Sequence, residues 1–215
     1  MVTLVGGCEG RLSTLQPAGP AAEAIAGLWW VLLGGSAVLF LFTMGLLAAA
    51  ARPRAGTLPK GREGLWLGGL GIAFPLAVLG ALLVWALVVG ERLLPRTEPD
   101  LVTVRAEARQ WAWAFSYADA PGRVTEGVLH IPAGQPVDVE ITSRDVVHSF
   151  WVPRLAGKLD AIPGHINVLR IEAWEPGEFD GLSAEFSGRG YREHGFRVQA
   201  HDASGWAAFL AGDMP

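Results

Sequence analysis

Two long uncharged stretches constrain this chain more than anything else in it. Ala24 to Ala51 runs 28 residues and Gly64 to Gly90 runs 27, neither holding a charged side chain. A helix needs about 20 apolar residues to cross the hydrocarbon core of a bilayer, so each stretch can span it with some tilt. A buried helix in a soluble protein is the alternative, and such an unbroken apolar run argues against it. Pro75 interrupts the second stretch, which a membrane helix tolerates when neighbouring groups satisfy the freed carbonyl. Gly34, Gly35, Gly68, Gly69 and Gly71 suit close helix packing against a larger partner.

Charge predicts the orientation. Arg52, Arg54, Lys60 and Arg62 lie between the stretches against Glu63 alone, whereas Arg92 and Arg96 after the second are balanced by Glu91, Glu98 and Asp100. The basic loop belongs in the cytoplasm. Both termini and everything after residue 91 are then expected outside the cytoplasmic membrane. The expected organisation is an outer N-terminal segment (1–23), a transmembrane helical hairpin (24–90), a linker (91–99) and an extracytoplasmic domain (100–215). Net charge is −4 with no long basic run, which gives no footprint for nucleic acid. One cysteine excludes an internal disulfide. Val5-Gly6-Gly7-Cys8 resembles the end of a lipoprotein signal, so Cys8 is either a lipidation site or an idle thiol.

From residue 100 the hydrophobic period changes to two. Val102, Val104, Ala106 and Ala108 alternate with Thr103, Arg105, Glu107 and Arg109, and similar alternation runs through Val137–Thr142, Leu169–Ala173 and Phe196–Ala200. Turn signals at Pro121-Gly122, Pro132–Gly134, Pro163-Gly164 and Pro176-Gly177 separate these runs, which predicts an all-β sandwich or small barrel. Ala203 to Leu210 predicts one short helix. Trp111, Trp113 and Phe115 share period-two spacing, so one strand would put three rings on one face, either as core or as a docking surface. The chain carries no nucleophile constellation or cofactor motif of its own, and is expected to work within a complex.

The runs QWAWAF, HSFWVPRLAGKLDAIPGH, EPGEFDG and LSAEFSG, behind two spans and a basic linker, resemble subunit II of the haem-copper respiratory oxidases over about residues 17 to 205. The resemblance implies a cupredoxin-like sandwich over a subunit I that holds haem and copper and reduces oxygen to water while protons are pumped, with subunit III as a further partner. Members that oxidise cytochrome c hold a dinuclear copper centre in this domain. Its ligand positions fall on His148, Ser183, Glu185, Ser187, Tyr191 and His194, where the family pattern has His, Cys, a Glu carbonyl, Cys, His and Met. Soft thiolates bridge such a pair, and hard serine hydroxyls do not. The dinuclear site is therefore read as absent, with no cofactor or metal bound by this chain.

Quinol oxidases of the family share serine at both cysteine positions, as in Asp180-Gly181-Leu182-Ser183-Ala184-Glu185-Phe186-Ser187-Gly188. The resemblance thus implies a subunit of a quinol-oxidising terminal oxidase. Two alternatives stay open: a cytochrome c oxidase subunit II whose electrons arrive through another subunit, and a membrane-tethered module binding one copper. For that single ion the candidates are His148 and His194, helped by Glu185 or His165, against a plain hydrogen-bonded histidine at a strand start. Glu63 resembles the family's proton-admitting glutamate at the start of the second span, or is an ordinary helix-start acid. Trp111 matches the tryptophan that passes cytochrome c electrons to copper. Trp111, Trp113, Arg154, Lys158 and Asp160 are the expected contacts with subunit I.

Overall fold

The computed structural model describes residues 10–52, 64–95 and 101–213, and they form two units: residues 27–92, and the residues up to Ala26 together with those from Leu93 onward. Cys8 and Glu63 lie outside the described residues, so both expectations about them stand as they were.

The helical unit is made by the two apolar stretches. Helix α1 (Pro20–Ala50) carries Glu23 in its first turn and no charge thereafter. The second span opens as a π-helix over Gly64–Ala73 and continues as α2 (Phe74–Arg92). Pro75 falls just past the changeover, where the hydrogen-bonding register shifts and its missing N–H is least disruptive. Leu41 and Leu67 are among many large apolar side chains exposed along these helices, which is what lipid-facing helices present. Thr43 turns its hydroxyl back onto the Leu39 and Phe40 carbonyls, at 3.0 and 2.9 Å, so the helix surface offers no bare donor there.

Ten strands form the other unit as two packed five-stranded sheets. They are β1 (Val102–Arg109), β2 (Ala112–Tyr117), β3 (Ala120–Glu126), β4 (Val128–Pro132), β5 (Val137–Ser143), β6 (His148–Trp151), β7 (Leu159–Ala161), β8 (Asn167–Ile171), β9 (Gly177–Ser183) and β10 (Gly195–His201). One sheet runs β3-β2-β1-β5-β8 and the other β4-β10-β9-β6-β7. The period-two pattern explains the faces: Val104, Ala106, Ala108, Val137, Val139, Ile141 and Val198 are fully buried, while the residues between them turn outward. Two pairings are parallel, β1 with β5 and β4 with β10, so each sheet joins segments distant in sequence. The short helix α3 (Ala203–Ala211) follows, with Asp202 Oδ1 accepting the Gly205 N–H at 2.7 Å as its N-cap.

Part of the expected outer segment, residues 1–23, is described from Gly10 onward. Helix α1 begins at Pro20, and the residues before it are laid on the sandwich. The Ala18 N–H donates to the Arg154 carbonyl at 2.7 Å, and the Trp174 N–H donates to the Ala18 carbonyl at 3.0 Å. Arg154 Nε donates to the Gln16 carbonyl at 2.9 Å, and Arg11 reaches Glu178 and Asp180 at 3.0 and 2.8 Å. Gly19 makes this approach possible, because a Cβ there would sit 1.9 Å from the Glu172 carbonyl oxygen.

The expectation about the three aromatic rings is corrected. Trp111 lies in the turn before β2, so the three rings do not share a strand face. Trp113 and Phe115 are fully buried core, and Trp113 is not available to subunit I; Trp111 alone is exposed, at 41%. In the segment after β6, Leu155, Ala156 and Ala161 point into the domain's own core, leaving Ile162 half-exposed. Most apolar residues of that segment thus pack within the sandwich.

Candidate functional site

Three connections meet around the residues singled out by sequence: the turn between β1 and β2, the loop between β5 and β6, and the long connection from β9 to β10. His148 opens β6 and is fully buried. Its Nε2 lies 2.9 Å from Asp145 Oδ1. Asp145 also accepts the Gln110 N–H at 2.7 Å and the Val146 N–H at 2.6 Å, so one carboxylate ties the first two connections together. Partial burial works to raise its pKa, but the Gln110, His148 and Val146 donors outweigh it and hold the carboxyl at about 2.

His194 ends the β9–β10 connection and is 1% exposed. Its ring meets that of His148 edge to face at 4.9 Å and stacks on Trp113 at 5.5 Å, and Trp111 closes the outer side at 6.1 Å. Burial lowers the His194 pKa, and the charge of His148 adds to this; the Ala112 backbone, near but outside hydrogen-bonding geometry, and Asp145 pull the other way. The connection wraps closely over Trp111 because Gly188 and Gly190 take φ of 116° and 104°, which side chains rarely adopt. Gln110 Nε2 donates to the Ser187 carbonyl at 2.6 Å and holds the loop down.

The structure therefore brings His148, His194, Ser183 and Ser187 into the buried part of this end, but not the remaining two positions. Tyr191 is half-buried on the loop and packs against the exposed ring of Phe186 at 5.3 Å. Glu185 turns to Lys158, whose Nζ is 3.7 Å away, and its other oxygen accepts the Phe186 N–H at 3.2 Å. Lys158 also lies 3.9 Å from Asp160; both are partly exposed and open to a partner, whereas Arg154 is engaged by Gln16. His165 bonds Asn167 on the surface at 3.1 Å and does not join the pair.

The residues can be tested against the copper centre the resemblance implies. Ser183 Oγ accepts the Ser149 N–H at 3.4 Å, and Ser187 Oγ is a buried hydroxyl. Neither can become the polarisable bridging anion that a copper pair requires. No cysteine is among the described residues. The donor set does not fit a dinuclear centre. Buried polar atoms without a protein partner remain at His148 Nδ1, both nitrogens of His194, Ser187 Oγ and Trp113 Nε1. Two imidazoles alone supply fewer than the three or four protein ligands usual for such an ion, and no group of three or more His, Cys, Asp or Glu is placed to hold a metal among the described residues.

Sequence reasoning missed Asp145 and Gln110. The only available signal for Asp145 was an acid three residues before a strand-opening histidine, and Gln110 gave none.

The comparisons with known proteins converge. Residues 122–199 match the family model described as cytochrome c oxidase subunit II, periplasmic domain. The chain is 31% identical over 212 residues to quinol oxidase subunit 2 of Bacillus cereus (strain ATCC 10987 / NRS 248), covering 93% of this chain and 72% of that protein. It is 29% identical over 221 residues to cytochrome c oxidase subunit 2 of Alkalihalophilus pseudofirmus, covering 96% of this chain and 64% of that one. The sandwich shares its fold with the periplasmic domain of subunit II of cytochrome oxidase from Bradyrhizobium japonicum. That likeness has a TM-score of 0.51 at 24% identity, over 54% of this chain and 94% of that one. With two apolar spans before a sandwich of this type, the chain belongs to the subunit II family of haem-copper terminal oxidases.

Proposed function

We propose that this subunit II serves a terminal oxidase fed by a lipid quinol, one that reduces oxygen to water and translocates protons. The observation that carries the reading is the pair of serine hydroxyls at Ser183 and Ser187, of which the first is already hydrogen-bonded to the Ser149 N–H. An electron from a soluble cytochrome c would find no redox metal behind Trp111. A quinol dissolves in the bilayer and can reduce the haem subunit without crossing this domain. The Bacillus cereus relative is a quinol oxidase subunit 2, which supports the same donor. In this reading the chain is non-catalytic: it assembles with subunit I, which holds the haem and copper, and with subunit III. Its basic linker is cytoplasmic, its sandwich is periplasmic, and Lys158 and Asp160 face subunit I.

Oxygen uptake by the isolated complex tests the donor. Turnover on reduced quinol with little on reduced cytochrome c is the expected result. Rapid turnover on cytochrome c and none on quinol would overturn it. One observation favours a second reading, a cytochrome c oxidase fed through another subunit: Trp111 stays exposed and leans on His194, as a docking tryptophan would. The same pair of assays separates the two.

A further inference from the structure

A second histidine pair lies where α3 meets the sandwich, on residues the oxidase reading does not use. His130 of β4 and His201 at the end of β10 lie nearly in one plane, 7° apart, with His130 Nδ1 2.8 Å from His201 Nε2. Phe209, the fully buried anchor of α3, stacks on His130 at 4.3 Å and 10° and on His201 at 5.9 Å. Tyr117 is on a further side: its hydroxyl accepts the His130 backbone N–H at 3.0 Å, and its ring meets Phe209 edge-on at 4.9 Å. The Arg123 guanidinium lies 4.2 Å over the Phe209 ring.

We propose that this edge-to-edge pair, roofed by Phe209, is an acid-released fastener that holds the C-terminal helix α3 to the sandwich. Only one proton fits between the two facing nitrogens. Two neutral rings already share one N–H···N bond; a first added proton goes to an outer nitrogen and leaves it in place, whereas a second puts N–H groups on both rings, facing each other across 2.8 Å. The added cation would also sit under an apolar roof with Arg123 close by. The groups facing the pair are Tyr117 from β2, Arg123 from β3 and Asp202 at the start of α3; Ala203–Ala211 brings no titratable side chain. The least disruptive relief is to lift Phe209 and let water reach the rings, because α3 is short and Phe209 is its one buried side chain.

The direction in pH follows. Burial first, then the charges of His201 and Arg123, push His130 from its ordinary 6.5 down to about 4. Burial lowers His201 also, with Asp202 opposing. The opened form binds protons more readily than the closed one. Fastening is therefore complete above about pH 6.5 and is lost as the pH falls toward 4. This device stands apart from the question of the electron donor.

Hydrogen exchange of the full chain in detergent, at pH 7.5 and pH 4.5 with intrinsic rates divided out, reads the opening of α3. The opening constant of amides 206–211 is expected to rise by about tenfold or more at the lower pH, while amides of β1 and β5 hold. His130→Phe keeps the stack under Phe209 without titrating and is expected to flatten the response; His130→Leu is the second variant if the first misfolds. An unchanged α3 in the wild type would overturn the proposal. So would equal loosening of β1 and β5, or a response that persists in the His130 variants.

Discussion

Asp145 Oδ1 stands 2.9 Å from His148 Nε2, and the same carboxylate takes the backbone N–H of Gln110 from the neighbouring turn. This carboxylate–imidazole contact fixes which nitrogen of His148 faces the domain interior, the arrangement by which carboxylates orient metal-binding histidines elsewhere. It works as a clamp between two connections, the β1–β2 turn and the β5–β6 loop.

Asp145→Ala should therefore loosen that end of the sandwich. The variant strands the buried His148 Nε2 and frees the Gln110 N–H, and losses of this kind cost about 1–3 kcal/mol. Near-UV circular dichroism during chemical denaturation would measure it. No change in midpoint would show that the clamp carries no load.

The same carboxylate predicts a pH signature. Its folded pKa of about 2 lies below the ordinary 3.8, so its contribution to stability is present above pH 3.8 and is lost as the pH falls toward 2. Partial exposure to solvent reduces that contribution to about 1 kcal/mol. Denaturation midpoints of wild type and Asp145→Asn should converge between pH 4 and pH 2. Parallel curves across that range would contradict the assignment.

The two tryptophans of QWAWAF should behave oppositely. Trp113→Ala removes a fully buried ring from the core and is expected to cost about 3–5 kcal/mol. Trp111→Ala removes an exposed ring lying on Gly188 and Gly190 and is expected to cost about 1 kcal/mol or less. Denaturation of the two variants side by side measures the difference, and similar losses would mean that the division between core and surface is wrong.

Gly19→Val should detach the segment that precedes α1. The new side chain would collide with the Glu172 carbonyl, and the hydrogen bonds of Ala18 to Arg154 and Trp174 would open. Limited trypsin digestion should then cut at Arg11 markedly faster than in the wild type. Unchanged cleavage would mean that the segment is not held through Gly19.

Much of this architecture was readable because hydrophobic period reports burial directly. Val102 to Ala108 alternated in the sequence and alternates in the sheet, and Ala203 to Leu210 became a helix within one residue of its expected end. What stayed hidden depends on partners distant in the chain. The parallel pairing of β1 with β5 leaves no local pattern. Trp111 and Trp113 differ only because a turn falls between them, which period-two spacing alone does not reveal. Residues 10–19 have no period, and their backbone hydrogen bonds to Arg154 and Trp174 are invisible in side-chain composition. At the candidate site the substitutions Ser183 and Ser187 were legible as chemistry. The departure of Glu185 and Tyr191 from the His148–His194 pair was not, because it depends on how the β9–β10 connection folds back over Trp111.

The proposal that Ser183 and Ser187 support no dinuclear copper centre is tested most directly by loading the full chain with copper. Purified chain in detergent, given copper ions under mild reduction and then examined by electron paramagnetic resonance and metal analysis, should show no delocalised mixed-valence signal. Two tightly held coppers per chain with that signal would contradict the account, because Ser183 and Ser187 would then be supporting a centre whose bridging chemistry they lack.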